Sequence, residues 1–333
     1  MRRTLVSAVA AAAVTASMFA AVPAQAAQPD IAGSGSSFAN NFVQKCAAQY
    51  KAKTGNNVTY LSTGSGTGRK NLTAATTYAF AASDSVYGAK EAQPGHIIVP
   101  VIGGAVGLVY KVKGVKSLKL DPKTLGAIFD GSISNWNDPA IKKLNKTAKL
   151  PDLAITVVYR GTASGTTQNV QNYLQETIGG SWPAANQTWV GKKGASVPLS
   201  TDMAYKVNNT PGAIGYADLS DLDRKVTMVS LKNAKGQFVK PTVKSASAFL
   251  SKQKIRGNGE VDIDFTAKAK GGYNLSIVTY LMIPSGNRGE AGAAAKEFAV
   301  FAVGTCSKKP ATGYAGFTGT NYRQALFFAK AGS

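Results

Sequence analysis

Past residue 27 the chain alternates short β-rich runs with stretches whose apolar residues recur every three or four positions. Residues 30–32 read as the end of a first strand. From 38 to 53, apolar residues at Phe38, Phe42, Val43, Cys46, Ala47 and Tyr50 take the spacing of one helix face. Residues 57–61 (NVTYL) read as a second strand, 68–75 as the start of a second helix, and 77–82 as a third strand ending at Ser83 and Asp84. A long β-rich run covers 97–110, interrupted by Gly103 and Gly104. Toward the other end, 273–283 (YNLSIVTYLMI) is a strong strand and 291–303 a final helix. Strands alternating with helices predict an α/β fold.

Length and charge divide this pattern in two. A chain of 333 residues suits two domains. Between 100 and 274 it carries 24 Lys and Arg against 12 Asp and Glu, while the flanking parts beyond residue 27 carry 12 against 5. The middle therefore reads as a second domain inserted into a discontinuous first. Residues 28–100 and 275–333 form lobe I, 101–274 form lobe II, and two crossing strands near 98–103 and 272–277 form the hinge.

The first 27 residues stand apart. Arg2 and Arg3 precede an Ala/Val-rich apolar stretch over 5–21, and Ala24-Gln25-Ala26 is a small-x-small cleavage site. This is the pattern of a signal peptide, too short and alanine-rich for a membrane anchor, so a secreted, monomeric product is expected. No cysteine follows the cleavage site, which argues against a lipid-anchored form. Cys46 and Cys306 remain after export. An oxidising compartment favours their pairing as a disulfide, with two buried thiols as the alternative.

The formal charge of +21 falls by two, to +19, once Arg2 and Arg3 leave. Such a surplus suits anionic cell-wall or other polymers, or a single small anion; it equally suits a cationic surface that merely keeps an exported protein soluble. Lysines such as Lys111, Lys113, Lys142, Lys143, Lys192, Lys193, Lys252 and Lys254 are scattered without interleaved aromatics, which fits the solvated surface. The single histidine, His96, sits beside a turn with no acidic neighbour. Neither a catalytic triad nor a clustered metal site is visible, so neither an enzyme nor a metal or other cofactor is expected.

Three glycine- and serine-rich segments carry the chemistry. GSGSSF at 33–38, STGSGTG at 62–68 and RGTASGTT at 160–167 each follow a strand and open a helix. A helix start presents backbone N–H groups without internal partners at its positive dipole end, and glycines let an anion approach them. None matches a dinucleotide fingerprint or a nucleotide-binding P-loop, and any one alone could be a plain helix cap. Together, with the guanidinium fork of Arg160, they predict a site for a tetrahedral oxyanion. Asp84 fits such a site if the ligand carries a proton. Hydrogen phosphate can donate to a carboxylate, whereas sulfate has nothing to donate.

These segments resemble the phosphate-binding proteins of the ABC phosphate transporter. The resemblance runs in order through GSGSSF, YLSTGSGTG, FAASD, PVIGGAVGLVYKV, IFDGSISNWNDPAIKKLN, VVYRGTASGTT and NNTPGAIGYAD. It implies a type II periplasmic-binding architecture, with phosphate buried between two lobes and delivered to an ABC permease. It also implies phosphate ligands at Ser37, Phe38 through its backbone N–H, Ser65, Asp84, Arg160, Ser164, Gly165 and Thr166. Two departures stand out within the site. Thr162 occupies a position that is usually acidic in the family, two residues after the arginine, and Ser37 and Ala39 replace a threonine and a proline.

Overall fold

A computed structural model describes residues 29–73, 77–87, 95–222, 226–286 and 289–331. The signal-peptide assignment to 1–27 lies outside the described residues. In chain order the elements are β1 (Ile31–Gly35), α1 (Asn40–Thr54), β2 (Val58–Ser62), α2 (Ser65–Thr73), β3 (Tyr78–Ser83) and β4 (His96–Tyr110). Next come β5 (Leu118–Leu120), α3 (Pro122–Asp130), α4 (Pro139–Leu144), β6 (Thr156–Arg160), α5 (Gly165–Ile178), β7 (Ala195–Val197), α6 (Thr201–Asn208) and β8 (Ala213–Asp218). The chain continues through β9 (Thr227–Lys232), β10 (Phe238–Val239), α7 (Val243–Leu250), β11 (Lys254–Ile255) and β12 (Val261–Asp262). It ends with β13 (Ser276–Pro284), α8 (Gly289–Gly304), β14 (Tyr314–Ala315) and α9 (Gly319–Ala331).

Twelve strands form one sheet along the path β2-β1-β3-β13-β4-β8-β6-β7, with β5, β9, β10 and β14 attached beside it, and β11 and β12 pair apart from it. β1, β2 and β3 run parallel, as strands joined by helical crossovers do. β13 joins them antiparallel. β4 is the member that both halves share. Its residues 96–105 pair with β13, and its residues 106–110 pair with β8. From Ile98 to Tyr110 it is buried, in keeping with an apolar run covered on both faces.

Gly103 and Gly104 do not interrupt this strand, contrary to the pattern-based expectation. They admit neighbours. A Cβ on Gly103 would strike Leu250 of α7, and one on Gly104 would lie 2.9 Å from the Phe38 ring. α1 begins at Asn40 and buries Phe42, Val43, Cys46, Ala47 and Tyr50, the face that the spacing marks. α2 begins at Ser65, three residues before the expected start, so the second glycine-rich loop forms the first turn of the helix; the expected end at Ala75 lies outside the described residues. Gly68 packs directly on Gly35 of β1, a contact that any side chain would block.

Cys46 of α1 and Cys306, just after α8, form a disulfide that closes a loop with a sequence separation of 260 residues. In the chain-entropy account such a loop contributes about 5 kcal/mol. Replacing both cysteines with alanine should lower unfolding stability by a few kcal/mol, read as a lower urea midpoint under non-reducing conditions. An unchanged midpoint would remove the bond from the account.

Candidate functional site

The site assembles where β1, β3 and β6 end. After Gly35 the chain turns through 36–39 into α1. The Gly35 carbonyl accepts the N–H groups of both Thr63 (2.9 Å) and Gly64 (2.8 Å), which ties the first loop to the second. Gly35 has φ 140°, and a side chain there would strike the Ala82 backbone, so glycine is required. The Tyr60 hydroxyl donates to the Ser36 carbonyl at 2.8 Å and fixes the turn from below. In the third loop Ser164 caps α5, accepting the Thr167 N–H at 3.2 Å.

Two charged groups organise the interior. Arg160 is 2% exposed. Its Nε donates to the Pro198 carbonyl at 2.9 Å, and its Nη1 lies 3.0 Å from Ser37 Oγ, 3.1 Å from Ser164 Oγ and 3.1 Å from Ser200 Oγ. Its Nη2 donates to Thr162 Oγ1 at 3.1 Å, and Thr162 in turn donates to the Pro198 carbonyl at 2.7 Å. Neutral oxygens thus hold a guanidinium in place, without an ion pair to a carboxylate among the described residues.

Asp84 is 3% exposed and, among the described residues, likewise forms no ion pair. Ser36 Oγ lies 2.7 Å from both carboxylate oxygens, Thr279 Oγ1 donates to Oδ1 at 2.6 Å, and Thr166 Oγ1 donates to Oδ2 at 3.2 Å. Ser65 Oγ accepts the Asp84 N–H at 3.2 Å and stands 3.5 Å from Oδ2. Asn169 of α5 donates to the Asp84 carbonyl. Gly165 fits between these groups, since a Cβ there would lie 2.7 Å from Ser65 Oγ and 3.0 Å from Asp84.

Burial raises the Asp84 pKa above the usual carboxylate value, against the hydroxyls of Thr279, Ser36 and Thr166 and the charge of Arg160, which lower it. Burial lowers that of Arg160, opposed by Tyr216, Asp84 and Asp202. Four backbone N–H groups beside this pair, those of Phe38, Ser65, Gly165 and Thr166, have no protein acceptor among the described residues. The arrangement therefore offers donors and one carboxylate acceptor, all desolvated. A cleft of about 420 Å³ opens beside Asp84 between α5 and the 256–263 segment; Ser37, Ser65, Arg160 and Ser164 are not among its walls.

All eight residues singled out in the sequence lie in this one cluster. The Phe38 side chain points away from it, edge-on to Tyr314 in the core, so that only its backbone faces the site. Sequence reasoning missed Ser36 as an Asp84 partner, Ser200 and Pro198 as partners of Arg160, and Thr279. The last had a signal, since it is a polar residue within the otherwise apolar 277–283 run. Among the described residues no group of three His, Cys, Asp or Glu could hold a metal, and no helix is long and apolar enough to cross a membrane.

A family model described as a PBP superfamily domain matches residues 20–305. The phosphate-binding protein PstS of Xylella fastidiosa is 32% identical over 265 residues, covering 76% of this chain and 71% of that protein. PstS of Pasteurella multocida is 37% identical over 228 residues, covering 66% of this chain and 65% of that protein. The match to PstS 3 of Mycobacterium tuberculosis covers 53% of that protein, so the chain spans between half and two thirds of the length of several of these relatives. Among solved structures, a high-affinity periplasmic phosphate-binding protein, PfluDING, bound with phosphate, superposes with a TM-score of 0.70 at 18% identity, covering 91% of this chain and 92% of its own. An ABC-type phosphate transport receptor from Vibrio cholerae gives 0.56 at 20% identity, covering 84% and 96%. At these identities the structures establish the fold, the type II periplasmic-binding architecture, and the sequence relatives establish the kinship. The chain belongs to the PBP superfamily and, within it, to the family of PstS phosphate-binding proteins.

Proposed function

We propose that this chain binds hydrogen phosphate at the Asp84–Arg160 cluster and serves as the exported receptor of an ABC phosphate permease. The observation that carries this reading is the pairing of a buried carboxylate, Asp84, with donors on every other element of the cluster. The four N–H groups without an acceptor among the described residues and Arg160 suit the oxygens of an anion, while Asp84 accepts a hydrogen bond from its proton. The Thr166 contact to Asp84 is the longest of the three hydroxyl bonds within 3.2 Å, and it is the one that would yield to the ligand. The family is one of solute-binding receptors, and the binding step needs no bond to be made or broken. The leader pattern at 1–27 supports export.

Lobe I (28–100 and 275–333) and lobe II (101–274) close on the ligand in this reading. The change of sheet partner along β4 at 105–106 supports a hinge there, beside the return of the chain at 273–276. Contacts across the lobes support the closed form as the binding form. Ser37 and Asp84 from the first segment meet Arg160, Thr166 and Ser200 from the second. A second set lies near Tyr314. Asn41 donates to Ser220 Oγ at 2.9 Å and to Asp221 Oδ1 at 3.0 Å, while the Tyr314 hydroxyl lies 2.9 Å from Ser220 Oγ and donates to the Phe38 carbonyl.

Equilibrium dialysis with phosphate and competing sulfate tests the reading. The wild-type protein should prefer phosphate by a factor of about 10⁴ or more, because sulfate sets an acceptor against an acceptor. Asp84→Asn should erase most of that preference, since the amide donates to either anion. Equal binding of the two anions by the wild type would defeat the specific claim. Arg160→Ala should weaken phosphate binding roughly 100-fold through loss of charged hydrogen bonds.

Burial of Asp84 also gives the binding a pH signature. Its raised pKa means that the carboxylate is lost on acidification before an ordinary aspartate would lose it. Phosphate preference over sulfate should therefore narrow as the pH falls through that range, and a preference constant down to pH 4 would contradict the role given to Asp84.

A separate pH effect concerns Asp221, which burial holds at about 6, against the Asn41 hydrogen bond and with Asp202 adding repulsion. A carboxyl whose folded pKa is raised from 3.8 to about 6 favours the fold at low pH, and this contribution is lost as the pH rises from about 4 through 6. Asp221→Asn should accordingly stabilise the protein at pH 7.5 by about 1–3 kcal/mol, with little effect at pH 4. Thermal melts at the two pH values check this, and a lower melting temperature at pH 7.5 would show that the charged Asn41 contact outweighs the burial cost.

A further inference from the structure

Although the lysines of lobe II are scattered along the sequence, several converge on one groove that shares no residue with the cluster. The groove, of about 440 Å³, runs between β10, the first turn of α7 and the turn at 268–271. Lys240, Lys244 and Lys270 line it, together with Phe238, and no carboxylate does among the described residues. Lys119 extends the basic strip, its ammonium 5.4 Å from the centroid of the Phe238 ring. Lys232 faces Phe238 across the β9–β10 pairing. None of these five lysines has a carboxylate partner among the described residues.

Five ammonium groups without neutralising partners repel one another, so the strip gains most from a ligand that spreads negative charge along it. A single oxyanion would reach only part of it. The α7 helix end does not supply the binding by itself, because Thr242 and Ser245 already cap it reciprocally. The lysines must carry the affinity, as point charges suited to phosphate oxygens. Phe238 is the one large ring lining the groove, with Lys119 over one of its faces, so the groove lacks the succession of aromatic platforms on which consecutive nucleobases stack.

We propose that this groove docks an extended inorganic polyphosphate chain. The inference is independent of the orthophosphate site, since the groove shares no residue with the Asp84–Arg160 cluster. Binding of long-chain inorganic polyphosphate by the full exported chain, measured across a salt series, tests it. The triple variant Lys240→Glu, Lys244→Glu, Lys270→Glu should lose at least about 10-fold in affinity, and its salt slope should fall by about two to three. Reversing the same number of charges at Lys142, Lys143 and Lys146 should cost less than about 2-fold, because that set lies outside the groove. Asp84→Asn should bind polyphosphate as the wild type does, which separates this site from the phosphate cluster. Equal losses in the two triple variants, with melting temperatures unchanged, would reduce the effect to bulk charge and overturn the proposal. A single-stranded DNA oligomer of equal charge that binds as tightly through the same lysines would overturn polyphosphate as the occupant.

Discussion

The buried Asp84 carboxylate constrains everything around it. A carboxylate at this depth, without an ion pair among the described residues, is tolerable only if hydrogen bonds surround it, and Ser36, Thr166 and Thr279 provide them from three different segments. Each donor imposes a position on its own backbone. Ser36 must sit at the end of β1, Thr279 in the middle of β13, and Thr166 in the first turn of α5. The convergence of a strand end, a mid-strand residue and a helix start on one point is thus the geometric counterpart of satisfying one charge.

Arg160 meets the opposite demand by the same means. Pro198, Ser200, Ser37, Ser164 and Thr162 supply only neutral oxygens, so the guanidinium keeps its full positive charge toward the site. A carboxylate at position 162 would have cancelled part of it. Here the Thr162 hydroxyl instead links Nη2 to the Pro198 carbonyl and orients the fork without charge. The scaffold that holds both groups is anchored by β4, the strand that both halves of the sheet share, and by the Cys46–Cys306 bond that ties α1 to the chain after α8.

Much of the site was legible because its chemistry is local. Glycine and serine before a helix announce exposed N–H groups, and an arginine beginning one such loop announces an anion; the three loops and Arg160 follow from that logic, whereas the individual positions Ser37, Ser65, Ser164, Gly165 and Thr166 come from the family resemblance. The helix face of α1 and the strands at 57–61 and 97–110 follow from apolar spacing. What stayed hidden depends on contacts between distant segments. Ser200 lies 40 residues from Arg160 and Thr279 lies 195 from Asp84, and no short-range pattern links them. Gly103 and Gly104 look like a break in the sequence for the same reason, since the neighbours they admit, Leu250 and Phe38, are remote along the chain. The lysine groove is a further case, with Lys119 of β5 and Lys270 of the 268–271 turn both brought beside β10.

A crystal structure of the protein grown with phosphate tests the central claim most directly. The account predicts a tetrahedral anion between Arg160 and Asp84, with one of its oxygens about 2.5–2.7 Å from an Asp84 carboxylate oxygen, the distance of a charged O–H···O bond. An anion bound elsewhere, or one held by Arg160 with Asp84 turned away beyond hydrogen-bond reach, would contradict it.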